Sequence, residues 1–232
     1  MIMTKNKFDT LRIHAGYDPK DHQFASSVPI YQTAAFGLEN TKVADQIVAG
    51  KLPNRYDYSR DGNPTVRVFE KRMAELDGGV DAVAVGSGMA AISYTILNVA
   101  ENGGRIIAPS NIYGSSLDEF RTFFPKFGID FDFVDDINDF DAVRHLIGSE
   151  TKAIYVESVA NPSTEIADLD KLAEIAHAAG IPLIVDNTFP TPYLLRPFEH
   201  GADIDVNSST KRIKRHGNEL SAVVVDLSHI HI

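Results

Sequence analysis

Lys211 sits in the run NSSTKRI, directly behind the hydroxyl side chains Ser208, Ser209 and Thr210. It follows a predicted short strand, Asp203–Val206, and a little upstream another apolar run, IPLIV, ends in Asp186. An amine and a carboxylate delivered from two strand ends, with hydroxyls beside the amine, suit an aldehyde cofactor that carries a phosphate. The lysine forms an imine, the carboxylate pairs with a ring nitrogen, and the hydroxyls hold phosphate oxygens. That chemistry points to pyridoxal 5'-phosphate. Taken singly, each residue has a plainer explanation: a surface lysine, a helix cap, a solvated carboxylate.

Other segments could complete such a site. VAVGSGMAA (Val83–Ala91) has the form of a strand, a glycine turn and a helix start, where free backbone N–H groups seat a phosphate. It also satisfies G-x-G-x-x-A, the dinucleotide-binding pattern of a nicotinamide-dependent oxidoreductase. That rival requires an acid at the end of the next strand to hold a ribose hydroxyl, and RIIAPSN offers none. Tyr113, in SNIYGSS, could stack on a planar ring or be an ordinary rim tyrosine. Glu157 and Asn161, in VESVANP, follow the strand AIYVE, and Asn161-Pro162 is first of all a turn signal. Tyr58 and Arg60, in YDYSR, lie on a loop suited to phosphate recognition by a hydroxyl and a fork of N–H donors.

These residues need elements to carry them. From about Pro64 onward, helical and strand patterns alternate. TVRVFEKRMAEL places Val66, Phe69, Met73 and Leu76 on one stripe, and DLDKLAEIAHAAG places Leu169, Leu172, Ile175, Ala176 and Ala179 inward. AVAV, RIIAP, DFDFV, AIYVE, PLIVD, DIDVN and AVVVD read as strands. Short apolar strands separated by helices predict an α/β fold with a mainly parallel, seven-stranded sheet covered on both faces. Residues 1–62 differ: turn formers and aromatics dominate, with one helix expected over Thr41–Ala49. They read as an extended N-terminal arm that lies across another surface, and residues 63–232 as the domain behind it.

Composition bounds the rest. The net charge of −10 argues against nucleic acid or an anionic membrane as a partner. The chain has no cysteine, which excludes thiolate metal sites, disulfides and cysteine nucleophiles. No ligand-spaced histidines or carboxylates suggest a metal, and no Gly-x-Ser-x-Gly elbow suggests a serine hydrolase. No apolar stretch approaches membrane-spanning length, and MIMTKNKFDT lacks the apolar core of a secretion signal, so a cytoplasmic protein is expected.

Taken in order, YSR, GNPT, GSGMAA, IYG, ESVANP, VDNT and SSTK resemble the Cys/Met metabolism family of pyridoxal-phosphate enzymes, of the aspartate-aminotransferase-like fold type I. The likeness runs from the arm to about Val225. HAGYDP and PIYQTAAF look most like the O-acetylhomoserine sulfhydrylase branch; the cystathionine synthase and lyase and methionine γ-lyase branches share most motifs. The resemblance implies that Lys211 bears the cofactor and takes the substrate's α proton, with Tyr113 stacked on the ring and assisting proton transfer. It implies further that Asp186 pairs with the ring nitrogen and that Asn161 bonds its hydroxyl side. The phosphate would fall to Ser87, Gly88, Met89, Ser208 and Thr210, with Thr188 beside them. Tyr58 and Arg60 would reach the phosphate of an adjacent subunit, making the protein a dimer or tetramer. The implied reaction is γ-replacement on an amino acid, O-acetylhomoserine, by sulfide.

The chain departs from the family after the lysine. A small, glycine-bearing segment is expected there, whereas KRIKRHGNELS puts the bulky charges of Arg212, Lys214 and Arg215 near the phosphate. The family's smaller C-terminal domain, with its carboxylate-binding arginine, is expected to be missing, and DLSHIHI matches no family segment. An inactive, cofactor-binding fragment therefore stands as the alternative.

Overall fold

Helices α1 (Phe8–His14), α2 (Thr41–Val48) and α3 (Pro64–Asp77) come first in the computed structural model, which describes residues 7–213 and 216–227. An alternating series follows: β1 (Asp81–Val85), α4 (Gly88–Val99), β2 (Gly104–Pro109), α5 (Gly114–Thr122), β3 (Ile129–Val134), α6 (Phe140–Leu146) and β4 (Thr151–Glu157). It continues through α7 (Leu169–Ala178), β5 (Leu183–Asp186), α8 (Thr191–Leu194), β6 (Ile204–Asn207) and β7 (Ala222–Asp226). Each apolar run expected to be a strand is one. Lys214 and Arg215, and all but the first two residues of DLSHIHI, lie outside the described residues. Among those described, no helix is long and apolar enough to cross a membrane.

The chain divides into two compact units, Met1–Glu75 and Leu76–Ile232. In the first, the polar arm is held by side-chain bonds to its own backbone. Thr65 donates its hydroxyl to Pro29 O at 2.8 Å and accepts from Tyr31 N at 2.9 Å, while the Asn63 amide donates to Tyr31 O at 2.9 Å. Asn63 also starts α3, its Oδ1 accepting from Thr65 N at 2.9 Å, with Pro64 as the first helical residue. That helix buries Val68, Met73, Ala74 and Leu76; Val66, expected inward, is 43% exposed.

In the second unit the seven strands form one sheet in the order β1-β7-β6-β5-β4-β2-β3. β2 through β6 pair in parallel, and β7 runs antiparallel between β6 and β1. Strand alternation sends neighbours to opposite faces. Ile106, Tyr155, Ile184, Ile204 and Val206 pack with α4 and α5 through Ile92, Ile96 and Phe120. Ile107, Ile154, Val156, Leu183 and Val185 pack with α6 and α7 through Val143, Leu172, Ile175 and Ala176. Burial on both faces is what makes these strands read as continuous apolar runs. Ala179, expected inward, is instead the exposed C-cap of α7.

One polar cluster interrupts the second face. Asp205, in register with Val185 and Val225, is fully buried, as is Asp77 at the end of α3. As two carboxylates they could only repel, and both Asp77 oxygens would lack a donor. With one proton between them they hydrogen-bond, and the Asn207 amide donates to Asp205 at 2.9 Å. Both pKa values are raised, first by burial; Asp77 reaches about 7, with the Arg196 charge opposing the shift.

A raised carboxyl binds its proton more tightly in the folded state. The stability it contributes is full below the unfolded value of 3.8 and is lost as pH rises through about 7. Asp205→Asn, which keeps a donor without the charge, is expected to flatten this slope and to raise stability at about pH 8 by about 1–3 kcal/mol. Urea unfolding at about pH 5 and about pH 8 checks it; an unchanged wild-type slope in the variant would remove the shared proton from the account.

Candidate active site

The parallel register sets β4, β5 and β6 level, so Glu157 lies opposite Asp186, and Asp186 opposite Val206. Loops leaving carboxyl ends of strands in such sheets line a crevice. Here they enclose a cavity of about 520 Å³. Ser87, Gly88 and Met89 reach it from the β1–α4 turn, Tyr113 from beyond β2, Asn161 from beyond β4, and Asp186 and Thr188 from β5. Ser208, Thr210 and Lys211 reach it from beyond β6. Ten of the twelve residues singled out from sequence therefore meet at one place. Tyr58 and Arg60 belong to the first unit, where Tyr58 bridges to Ala35 and the Arg60 guanidinium lies 4.9 Å from the Tyr58 ring centre.

Ser87 caps α4, its hydroxyl accepting from Ala90 N at 3.1 Å, while its carbonyl takes Ala91 N at 3.0 Å. The N–H groups of Gly88 and Met89 are left without a partner among the described residues, at the positive end of the helix. A Cβ on Gly88 would stand 2.9 Å from the Ser208 Cβ, so only glycine lets the loop after β6 press against this helix start. Ser208 is held in turn by its own N–H, which donates to the Thr188 hydroxyl at 2.9 Å. The Thr210 hydroxyl is already engaged: it donates to Ser221 O at 3.1 Å and accepts from Ser221 N at 3.0 Å, closing the segment after the lysine.

Asp186 accepts from Thr188 N at 3.0 Å and from the Tyr155 hydroxyl at 3.4 Å. Protein surrounds it while its carboxylate still meets the cavity, and burial raises its pKa against the lowering effect of the Thr188 bonds. Glu157 was noted from sequence beside Asn161 but given no role there, and it organises two of the site's walls. Its oxygens accept from Tyr113 N and Asn161 N, each at 2.8 Å. Burial and the Asp186 charge raise its pKa to about 7, opposed by those two bonds. Its place at the end of a strand parallel to the one ending in Asp186 was the available signal. Phe189, Arg212 and Leu220 also line the cavity. Arg212 is 5.3 Å from the Phe189 ring centre, a contact between loops that no local pattern announces.

With this geometry in view, the match to known proteins is informative. Residues 9–231 match the family described as Cys/Met metabolism PLP-dependent enzyme, and the chain belongs to that family. A sulfhydrylase of Gibberella moniliformis is 44% identical over 222 residues, covering 94% of this chain and 50% of the relative. A homocysteine synthase of Schizosaccharomyces pombe is 41% identical over 229 residues, covering 97% of this chain and 52% of the relative. Among solved structures, an O-acetylhomoserine (thiol)-lyase of Campylobacter jejuni, bearing a pyridoxyl-lysine phosphate, superposes with a TM-score of 0.90 at 36% identity. That match covers 97% of this chain and 55% of the other. The chain thus spans about half the length of the relatives it matches, and its fold is the type I fold of pyridoxal-phosphate enzymes.

The cavity's donor set fits that cofactor. The unpaired amides of Gly88 and Met89 and the Ser208 hydroxyl suit a phosphate, and Asp186, its pKa raised by burial and its carboxyl facing the cavity, suits a protonated ring nitrogen.

Glu157→Ala is expected to leave the Tyr113 and Asn161 amides without an acceptor, at a cost of about 2–4 kcal/mol. Urea unfolding of the variant measures it; a loss within about 0.5 kcal/mol would mean that the two loops hold their places without this carboxylate.

Proposed function

We propose that the chain binds pyridoxal 5'-phosphate in this cavity and serves sulfur amino acid metabolism by γ-replacement, sulfide displacing acetate from O-acetylhomoserine to give homocysteine. The observation that carries the proposal is the meeting of Lys211 and Asp186 in one cavity beside the free amides that start α4. The similarity to a homocysteine synthase and to an O-acetylhomoserine (thiol)-lyase supports this reaction over the family's other eliminations and replacements.

Bound there, the cofactor supplies an aldehyde carbon that captures the substrate's amine and a cationic ring that accepts electrons from the α carbon. Lys211 Nζ holds the cofactor at rest and, once released, takes the proton from the α carbon. The Asp186 carboxylate keeps the proton on the ring nitrogen, and the arriving cation relieves the cost of its burial. Gly88 N, Met89 N and the Ser208 hydroxyl bind the phosphate. Ser87 keeps that helix start open, Thr188 fixes Ser208, and Thr210 contributes chiefly by tying the following loop to Ser221. Tyr113 covers the ring and assists proton transfer, and Asn161 bonds the ring hydroxyl. Tyr58 and Arg60, the latter's side chain 77% exposed, complete the phosphate site of a neighbouring subunit. The working protein is accordingly a dimer or tetramer, and it acts in the cytoplasm.

Borohydride reduction of the chain after incubation with the cofactor, followed by peptide mapping, is expected to place the adduct on Lys211 and to find none in Lys211→Ala. The loaded chain is then expected to form homocysteine from O-acetylhomoserine and sulfide. An adduct without turnover would remove the γ-replacement and keep the cofactor site; no adduct in the wild type would remove both. Asp186→Asn is expected to keep the adduct and lower turnover by about ten- to a hundredfold, the worth of one charged hydrogen bond.

A further inference from the structure

Resting on that cofactor assignment, we infer that Tyr155 is a positioning residue: its buried hydroxyl fixes the Asp186 carboxylate for the ring nitrogen and favours the ionised form of that acid. Tyr155 is among the largest fully buried side chains of the described residues. Phenylalanine would fill the same space, and a buried hydroxyl costs free energy unless it finds a partner. Tyr155 stands in β4 opposite Ile184, and Asp186 follows Ile184 by two residues in β5. The two side chains therefore share a sheet face as diagonal neighbours. An aromatic side chain spans that diagonal, and the hydroxyl reaches Asp186 Oδ2 at 3.4 Å.

The hydroxyl acts on the acid in one direction. Burial, and after it the charges of Asp186 and Glu157, raise the phenol's pKa well above the ordinary value of 10, so it keeps its proton and donates. Ser116, fully buried on α5, hydrogen-bonds the phenol, and the Phe120 ring meets it edge-on with centres 5.0 Å apart. A donor to a carboxylate favours the anion, and here it opposes the burial that would leave Asp186 a neutral acid. Thr188 N holds Oδ1 at 3.0 Å while Tyr155 holds Oδ2, so each oxygen has an anchor and the plane of the carboxylate is set in advance.

Tyr155 and Ser116 are enclosed within the second unit, so these contacts do not depend on what else covers the cavity. The other ionisable groups around Asp186 are Glu157 across the register, Asp205 on β6, and Tyr113, Lys211 and Arg212 lining the same cavity. Tyr155→Phe leaves all of them in place and keeps the aromatic contact with Phe120. What it removes is one proton donor. A neutral Asp186 would hold the proton itself and leave the ring nitrogen bare, and a bare ring accepts electrons poorly.

NMR at two sites tests the inference. In the cofactor-free chain with isotope-labelled aspartate carboxyls, the Asp186 signal is identified by its loss in Asp186→Asn and followed through a pH titration. Tyr155→Phe is expected to lower the acid dissociation constant of Asp186 about three- to tenfold. In the chain loaded with ring-nitrogen-labelled pyridoxal 5'-phosphate, the nitrogen signal is expected to move toward the unprotonated position in Tyr155→Phe. The same change made on top of Asp186→Asn is expected to move it no further. An Asp186 titration that ignores the loss of the hydroxyl overturns the inference. So does a nitrogen signal unchanged in the variant, or one that shifts equally in the Asp186→Asn background, because Tyr155 would then act by packing alone. Borohydride trapping tells the two readings apart. No adduct at Lys211 in the wild type removes the cofactor site and the role of Tyr155 with it, whereas an adduct with an unmoved carboxyl removes Tyr155 only.

Discussion

Glu157 and Asp186 face each other across one step of parallel register, and a cleft of low dielectric does not readily hold two adjacent negative charges. The neighbouring backbone treats the two acids unequally. Both oxygens of Glu157 are taken by amides, from Tyr113 and Asn161, so this acid is spent on holding loops. Asp186 is held by Thr188 and by one long phenol contact, and its carboxylate also meets the cavity. The open part of that carboxylate, in a cavity that Lys211 also lines, suits a cationic heterocycle. The positions of Tyr113 and Asn161 follow from the same arrangement, because Glu157 is their anchor.

The sheet makes that arrangement possible by being buried on both faces. Apolar layers against α4 and α5 on one side and α6 and α7 on the other fix the strands in register. A slip of one residue would send Tyr155 and Asp186 to the opposite face and dissolve the site. The approach of the β6 loop to the start of α4 depends in addition on a single missing side chain, that of Gly88. Behind β6 the buried carboxyls of Asp77 and Asp205, their pKa values raised by burial, show that the second unit carries polar burial away from the cavity as well. It lies on the face opposite Asp186, since Asp205 pairs in register with Val185.

The segment after Lys211 changes meaning once folded. Read as sequence, its basic residues obstruct a place where the chain should pass close to a phosphate. In the structure the Thr210 hydroxyl grips both backbone groups of Ser221 and closes the loop, and Arg212 turns onto Phe189. The charge lies against an aromatic face at the cavity rim. The bulk of Arg212 is accommodated by a partner far from it in sequence, while Lys214 and Arg215 lie outside the described residues.

How much could be read beforehand follows from the range of each interaction. The seven strands, the longer helices of the second unit and the glycine turn that starts α4 were legible because apolar periodicity, capping and turn chemistry are properties of a few neighbouring residues. The two stripes that erred, at Val66 and Ala179, did so because burial depends on what lies opposite. Helix α8, a single turn, has no pattern long enough to announce it and is held by tertiary contact. The amino-acid order alone thus determined which chemical groups stand at strand ends: an amine at 211, an acid at 186, hydroxyls and free amides beside them. Only folding in three dimensions decided that Glu157 would serve as an anchor, that the Thr210 hydroxyl would be occupied, and that Arg212 would be seated on Phe189. Each of those depends on a distance between residues remote in the chain, and such distances are set by the packing of the whole sheet.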